Sequence, residues 1–322
     1  MAMTVASLGM DFPEVYQDGK LVAEGHICEW EKYGHDGVIV DIGTQAAAQA
    51  LGCPADYPPG EIPRATGPAI QDWADLDHLS VPEPRRTFPL TVVLEAVAIL
   101  KRSIGEHATI IATVDQGPFT LASQLLGMDR FLTEIGLHEH DHDVEIHQLL
   151  SLCTDFTLAY GTALHAAGAD IVRMGDSTSG PDMVSPRTYA QYAFPYQKRL
   201  AEEFARRGIV FEFHICGNAT PIIEKMVATG AAYVEIDEKT DLAAARQAVR
   251  ERGGVGGPIS PSLLRFGTEA EVEEACRRAL EAWLPPGGLF FGPGCTLPWD
   301  TPEGSVRTLM ACAERYGSYS EV

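Results

Sequence analysis

The chain has 322 residues, 45% of them apolar and 21% charged, a composition that can bury a large core. Its 24 Lys and Arg stand against 45 Asp and Glu, a net charge of −21 that repels phosphate backbones and anionic lipid and so argues against nucleic-acid or membrane-surface binding. Seven cysteines, odd in number and scattered, fit reduced cytoplasmic thiols and not a disulfide framework; no signal peptide is visible at Met1–Met10, and no apolar run nears the ~18 residues that span a bilayer.

In chain order, residues 11–36 read as a short loop or hairpin around Asp18-Gly19 and then a helix through Glu31. The first strong strand is 37–42, followed by a helix over Gln45-Ala-Ala-Ala-Gln-Ala50. Residues 52–89 are rich in proline, yet Trp73, Leu76 and Leu79 recur at helical spacing, so this stretch is an irregular excursion and not a linker. Leu90–Ile104 has the period of an amphipathic helix. Strands are then expected at 108–114, 170–174, 209–214, 231–236, 253–257 and 288–292, with helices at 119–134, 144–167, 186–207, 219–229, 241–251, 268–283 and 302–316. Strict alternation of strand and helix implies a parallel sheet. Seven strands in near-complete sequence point to a (β/α)₈ barrel forming a single domain over 1–322, with a doubly wound open sheet as the competitor. No Gly-x-Gly-x-x-Gly follows a strand, so nucleotide binding on an open sheet has no support.

Chemistry concentrates at the strand ends. His214 and Cys216 are two apart in an extended stretch, which puts both side chains on one face, and Cys295 ends a different strand. One imidazole and two thiolates suit zinc and leave a fourth tetrahedral position open. The spacing alone is a weak signal, because a Cys beside a strand is commonly a small buried hydrophobe. Asp41, Asp115, Asp176 and Asp237 also follow strands; they read either as a polar rim that orients substrate or as caps of the next helix. Asp176 stands out because Gly175 and Ser177-Thr-Ser-Gly180 surround it with what reads as an open loop. The run His138-Glu-His-Asp-His-Asp143, with His147, lies between two helices and reads as a solvated loop instead of a metal site.

Taken together, Gly117-Pro-Phe-Thr-Leu-Ala-Ser123, Ala167-Gly-Ala-Asp170 leading to Asp176 and Ser185-Pro186, His214-Ile-Cys-Gly-Asn218, Gly257-Pro-Ile-Ser-Pro261 and Gly294-Cys295 resemble the uroporphyrinogen decarboxylase superfamily over about residues 30–317. That resemblance implies a (β/α)₈ barrel, here with a shortened N-terminal arm. The His-x-Cys with a distant Cys looks like the corrinoid-dependent methyltransferase branch, the methylcobalamin:coenzyme M type. For that branch the resemblance implies Zn²⁺ on His214, Cys216 and Cys295; from the strand-end rim, Asp176, Asp237 and Asp41 are the catalytic candidates. It further implies a methyl group carried as methylcobalamin by a separate corrinoid protein, since no Asp-x-His-x-x-Gly motif occurs in the chain. The other partner would be a small methyl donor or acceptor. The decarboxylase branch holds its substrate with an N-terminal arginine segment, and no arginine precedes Arg64, although Asp41 sits about where those enzymes keep a catalytic Asp. A decarboxylase, or a non-catalytic barrel, is the alternative.

Overall fold

The computed structural model describes residues 2–136, 142–250, 253–284 and 287–317. Nine strands occur among them: β1 (Gly37–Val40), β2 (Ala55–Asp56), β3 (Arg64–Ala65), β4 (Thr109–Gln116), β5 (Ile171–Gly175), β6 (Val210–Ile215), β7 (Tyr233–Ile236), β8 (Gly254–Ile259) and β9 (Leu289–Pro293). β2 and β3 form a small antiparallel hairpin. The other seven make one all-parallel sheet in the order β1-β4-β5-β6-β7-β8-β9, so each strand pairs with the next main strand in sequence.

That order is what repeated right-handed strand–helix–strand units produce when the sheet curls instead of reversing. The outward residues Val172, Met174, Phe211, Phe213, Val234 and Ile236 are buried in the main core, beneath the helices. Phe204 packs its ring 4.9 Å from that of Phe211, a helix–strand contact of this layer. The inward side meets itself across the curl. Phe290 of β9 stacks on Tyr233 of β7 at 5.6 Å, and its ring tip lies 3.0 Å from where a Cβ on Gly37 of β1 would stand. Among the described residues β9 and β1 exchange no ladder, so the sheet is a curled seven-stranded one, not a closed eight-stranded ring. Outside the seam the helices do meet: Lys32 Nζ lies 2.7 Å from Glu303 Oε2, and Arg307 Nη1 donates to Lys32 O at 3.4 Å.

Local chemistry explains the elements, including those that differ from expectation. Leu90, Val93, Val97, Leu100 and Ile104 form the buried stripe of helix Leu90–Ile104, at the expected spacing. Asp18-Gly19 makes no hairpin; Asp18 is the N-cap of helix Gly19–Tyr33, its carboxylate accepting from the amides of Lys20 and Leu21. The helix expected at 119–134 is two, Pro118–Leu126 and Met128–Gly136, broken at Gly127 with φ +89°. The one expected at 186–207 is also two, Pro186–Tyr192 and Phe194–Arg206, with Pro195 in the first turn of the second. The proline-rich excursion packs down: Trp73 stacks on His142 at 5.1 Å with the Arg130 guanidinium 4.9 Å from its ring. No helix among the described residues is long and apolar enough to cross a membrane.

Candidate metal centre

β6 delivers two of the three expected ligands. His214 points inward near the end of the strand, and Cys216 follows one residue past it, on the same side. The chain then turns at Gly217, whose φ of +81° suits glycine and whose missing side chain leaves room for Asp182, 2.0 Å from where a Cβ would stand. Cys295 arrives from the end of β9, past Gly294, which lies against the backbone of Ile236 and Asp237. The outcome is one cluster: the ligand atoms of His214, Cys216 and Cys295 all lie within 4.8 Å of one another. His214 Nε2 is 2.9 Å from Cys216 Sγ, and the two sulfurs are 3.7 Å apart. Two thiolates bound at about 2.3 Å to one tetrahedral ion stand at such a separation.

A charged group backs this cluster. Glu235 Oε2 of β7, next to His214 in register, lies 3.3 Å from His214 Nδ1. A carboxylate there favours the tautomer that leaves the Nε2 lone pair facing the sulfurs. Arg173 of β5 joins the same layer, pairing with Glu235 and lying 3.3 Å from Glu212 Oε1, with all three side chains nearly buried. Burial raises the Glu212 carboxyl against the pull of Arg173. Burial would lower the His214 pKa, but Glu235 and the Cys295 thiol together hold it above its ordinary value. The two thiols are shifted in opposite directions. The hydrogen bond with Cys295 draws Cys216 down to about 7, while that bond and burial push Cys295 up to about 12. Two sulfurs and an imidazole nitrogen that converge on one point, with a carboxylate 3.3 Å behind the ring, fit a zinc ion.

The four aspartates part company. Asp237 edges the cluster, accepting from the amides of Gly217 at 2.9 Å and Lys239 at 3.2 Å. Burial works against its charge, yet hydrogen bonds from the Glu238 carboxyl and those amides bring its pKa below the ordinary value. Asp41 ends β1 half-buried, accepting from the Gly43 amide at 3.3 Å. The loop around Asp176 is not open: its side chain is 0% exposed, because Thr120 N and Gln197 Nε2 each donate to it at 2.8 Å. Asp115 is likewise occupied, its carboxylate taking the Ala47 amide at 2.9 Å and so capping the short helix Ala46–Ala50. Of the histidine-rich run, 138–141 lie outside the described residues; His142 pairs with Glu134 and His147 with Tyr196, so the two are held apart from the cluster.

Sequence reasoning passed over Arg173, Glu212 and Glu235. The signal was present: each is a charged residue alternating with apolar ones inside a parallel strand, where continuous hydrophobicity is the rule.

The uroporphyrinogen decarboxylase (URO-D) family model matches residues 2–316. The chain is 27% identical over 314 residues to the methylcobamide:CoM methyltransferase MtbA of Methanosarcina acetivorans, covering 96% of this chain and 88% of that one. It is 28% identical over 316 residues to the methylcobamide:CoM methyltransferase MtaA of Methanosarcina barkeri, with the same coverage, and 26% identical over 312 residues to the uroporphyrinogen decarboxylase of Erwinia tasmaniensis, covering 95% and 85%. A solved methyltransferase structure from Methanosarcina mazei superposes with a TM-score of 0.88 at 24% identity, over 99% of this chain and 91% of that one, which fixes the fold. With its parallel strands taken in sequence order and its match running almost from end to end, the chain belongs to the uroporphyrinogen decarboxylase family.

Proposed function

We propose that the protein is a zinc-dependent methyltransferase that moves a methyl group between a separate corrinoid protein and a small thiol or other small methyl donor or acceptor. The observation that carries this reading is the convergence of His214, Cys216 and Cys295 on one point, with Glu235 behind the imidazole. The methyltransferase names of MtbA and MtaA support it. The curled sheet is read as a variant of the (β/α)₈ barrel, and its reduced cysteines as those of a cytoplasmic protein.

His214, Cys216 and Cys295 would hold the zinc, and a zinc ion there would keep a bound thiol as its thiolate at neutral pH. The remaining work falls to the chain. Glu235 fixes the His214 ring, and Arg173 restrains Glu235. Asp237 holds the Gly217 amide and with it the turn that carries Cys216. Asp176 ties the β5 turn to helix Pro118–Leu126 by accepting from the Thr120 amide, and its own backbone N–H donates to His214 O at 2.9 Å. In this reading Asp176 and Asp237 are positioning residues, and Asp41 is the carboxylate left to face a substrate.

The decarboxylase reading asks for concentrated positive charge around a polyanionic substrate. Arg173, an arginine inside the curl, is already set against two glutamates. The test is elemental analysis joined to a methyl-transfer assay with methylcobalamin, then with a methylated corrinoid protein. Close to one zinc per chain is expected, lost in large part from Cys216→Ala and from Cys295→Ala. Full zinc in both variants, or methyl transfer that needs no corrinoid, would sink the proposal.

A further inference from the structure

The loops that follow the strand ends hold large apolar side chains out to solvent around the His214–Cys216–Cys295 cluster. Phe266 is 76% exposed, Trp299 58% and Met183 47%. They lie on the connections after β8, β9 and β5, and in an all-parallel sheet these connections leave at one end, the end where the cluster sits. Trp299 follows Cys295 by four residues. Met183 follows Asp182, which packs on Gly217, the neighbour of Cys216. Cys216 and Cys295 are themselves only partly buried, so the cluster opens at this end.

Two of the three are presented by anchored loops. Helix Pro261–Phe266 starts at Ser260, whose hydroxyl donates to Glu238 Oε1 at 3.1 Å and accepts from the Leu263 amide at 3.3 Å. Leu264 of that helix is fully buried, in a cluster against which Leu297 of the β9 loop also packs. Arg265 then joins the two loops: it pairs with Asp300, and its guanidinium lies 4.7 Å from the Phe266 ring. At the base of the β9 loop, Gly294 N donates to Ile259 O at 2.8 Å, which ties the residue before Cys295 to the end of β8. Phe266 and Trp299 thus flank one ion pair, on two loops whose inner ends frame Cys295. Tryptophan, phenylalanine, methionine and arginine are the residue types enriched in protein interfaces, and tryptophan and arginine are prominent among those that carry most of the binding energy.

We infer that Phe266 and Trp299, with the Arg265–Asp300 pair between them, are the anchors on which the corrinoid protein docks. This rests on the methyl-transfer reading. Charge and position select the occupant. A second copy of the chain would bring a net charge of −21 against −21. It would also cover the end at which the cluster opens and so shut out both reactants of the transfer. A methyl carrier has to sit over that opening and leave it at each turnover. A contact of small area with a few aromatic anchors permits this, whereas a broad apolar face makes a permanent assembly.

The test uses the zinc-loaded full chain and has two arms. In the first, the photo-reactive residue p-benzoylphenylalanine replaces Ser262, exposed on the same helix as Phe266, and the protein is irradiated in an extract of the cells that make it. The expected adduct is with a protein that contains cobalt, and the same residue at Val210, exposed at the opposite end of the sheet, should give no such adduct. An adduct with a second copy only, with a cobalt-free protein only, or with nothing overturns the inference. In the second arm that cobalt protein, methylated, is the donor, beside free methylcobalamin. Trp299→Ala and Phe266→Ala should each raise KM for the protein donor at least about tenfold, with zinc content and the rate from free methylcobalamin unchanged. Equal losses with both donors, or no loss with either, overturn the inference while methyl transfer stands. If the wild type holds zinc and takes a methyl group from neither donor, the methyl-transfer reading fails and the inference with it.

Discussion

Glu235 shows at the scale of one residue how the centre is built. Its carboxylate lies between the His214 ring and the Arg173 guanidinium, so it orients the first and is restrained by the second. Glu235→Gln should therefore weaken zinc affinity about 10- to 100-fold, measured by competition with a chromophoric chelator, while saturating zinc still fills the site. Arg173→Met is a different kind of change. It strands Glu212 and Glu235 as buried carboxylates, and a cost of roughly 3–5 kcal/mol in urea unfolding is expected. Asp115 governs a pH effect. Burial raises its pKa from 3.8 to about 7, against hydrogen bonds from the Ala47 amide and the Gln116 side chain. A carboxyl raised on folding stabilises the protein below its unfolded pKa and loses that contribution as pH climbs from about 4 to about 7, where the unfolded chain has already released the proton. Asp115→Asn keeps an acceptor for the Ala47 amide and removes the titration. Its stability relative to wild type should rise across that window and level off above it, by up to roughly 4 kcal/mol. Denaturant titrations at pH 5 and pH 8 with equal differences would refute this.

At the scale of elements, the helix–sheet layers meet closely where side chains are smallest. Helix Asp143–Ala167 crosses β5 and helix Phe194–Arg206 at Gly161; a Cβ there would stand 2.6 Å from the Phe204 ring and 2.9 Å from Val172 Cγ1. An aromatic ring packed against a strand cannot give way cheaply. Gly161→Ala should cost roughly 1–3 kcal/mol in spite of alanine's better helix propensity, with the loss visible in the urea midpoint and no change in zinc content. The helices that divided differently from expectation share a cause. Gly127 and Pro195 fall inside runs whose apolar periodicity continues across them, so the period suggests one helix while backbone conformation requires two. Side-chain caps were legible in advance in form but not always in partner: Asp115 does cap a helix, although the one it caps precedes it by tens of residues.

The whole molecule joins a large core to a site supported at strand ends. Because the core clusters involve helices and strands all round the curl, a chelator that strips zinc should leave far-ultraviolet circular dichroism intact while abolishing thiol binding. Incubation with uroporphyrinogen should yield no enzyme-dependent coproporphyrinogen by chromatography, since Arg173 is already set against two glutamates and the net charge is −21. By itself the sequence determined the order of strands and helices, the parallel sheet, and the strand ends at which His214, Cys216 and Cys295 would sit. These follow from local periodicity and turn chemistry, which neighbouring residues specify. The tertiary structure alone decided which acids look inward, because that depends on how each strand is rotated against its neighbours. It buried Asp176, turned Asp115 into a cap, and joined Arg173, Glu212 and Glu235 across three strands that lie far apart in the chain. Among the described residues it also left β1 and β9 unpaired at the seam, a matter of curvature accumulated over seven strands that no single stretch of sequence encodes.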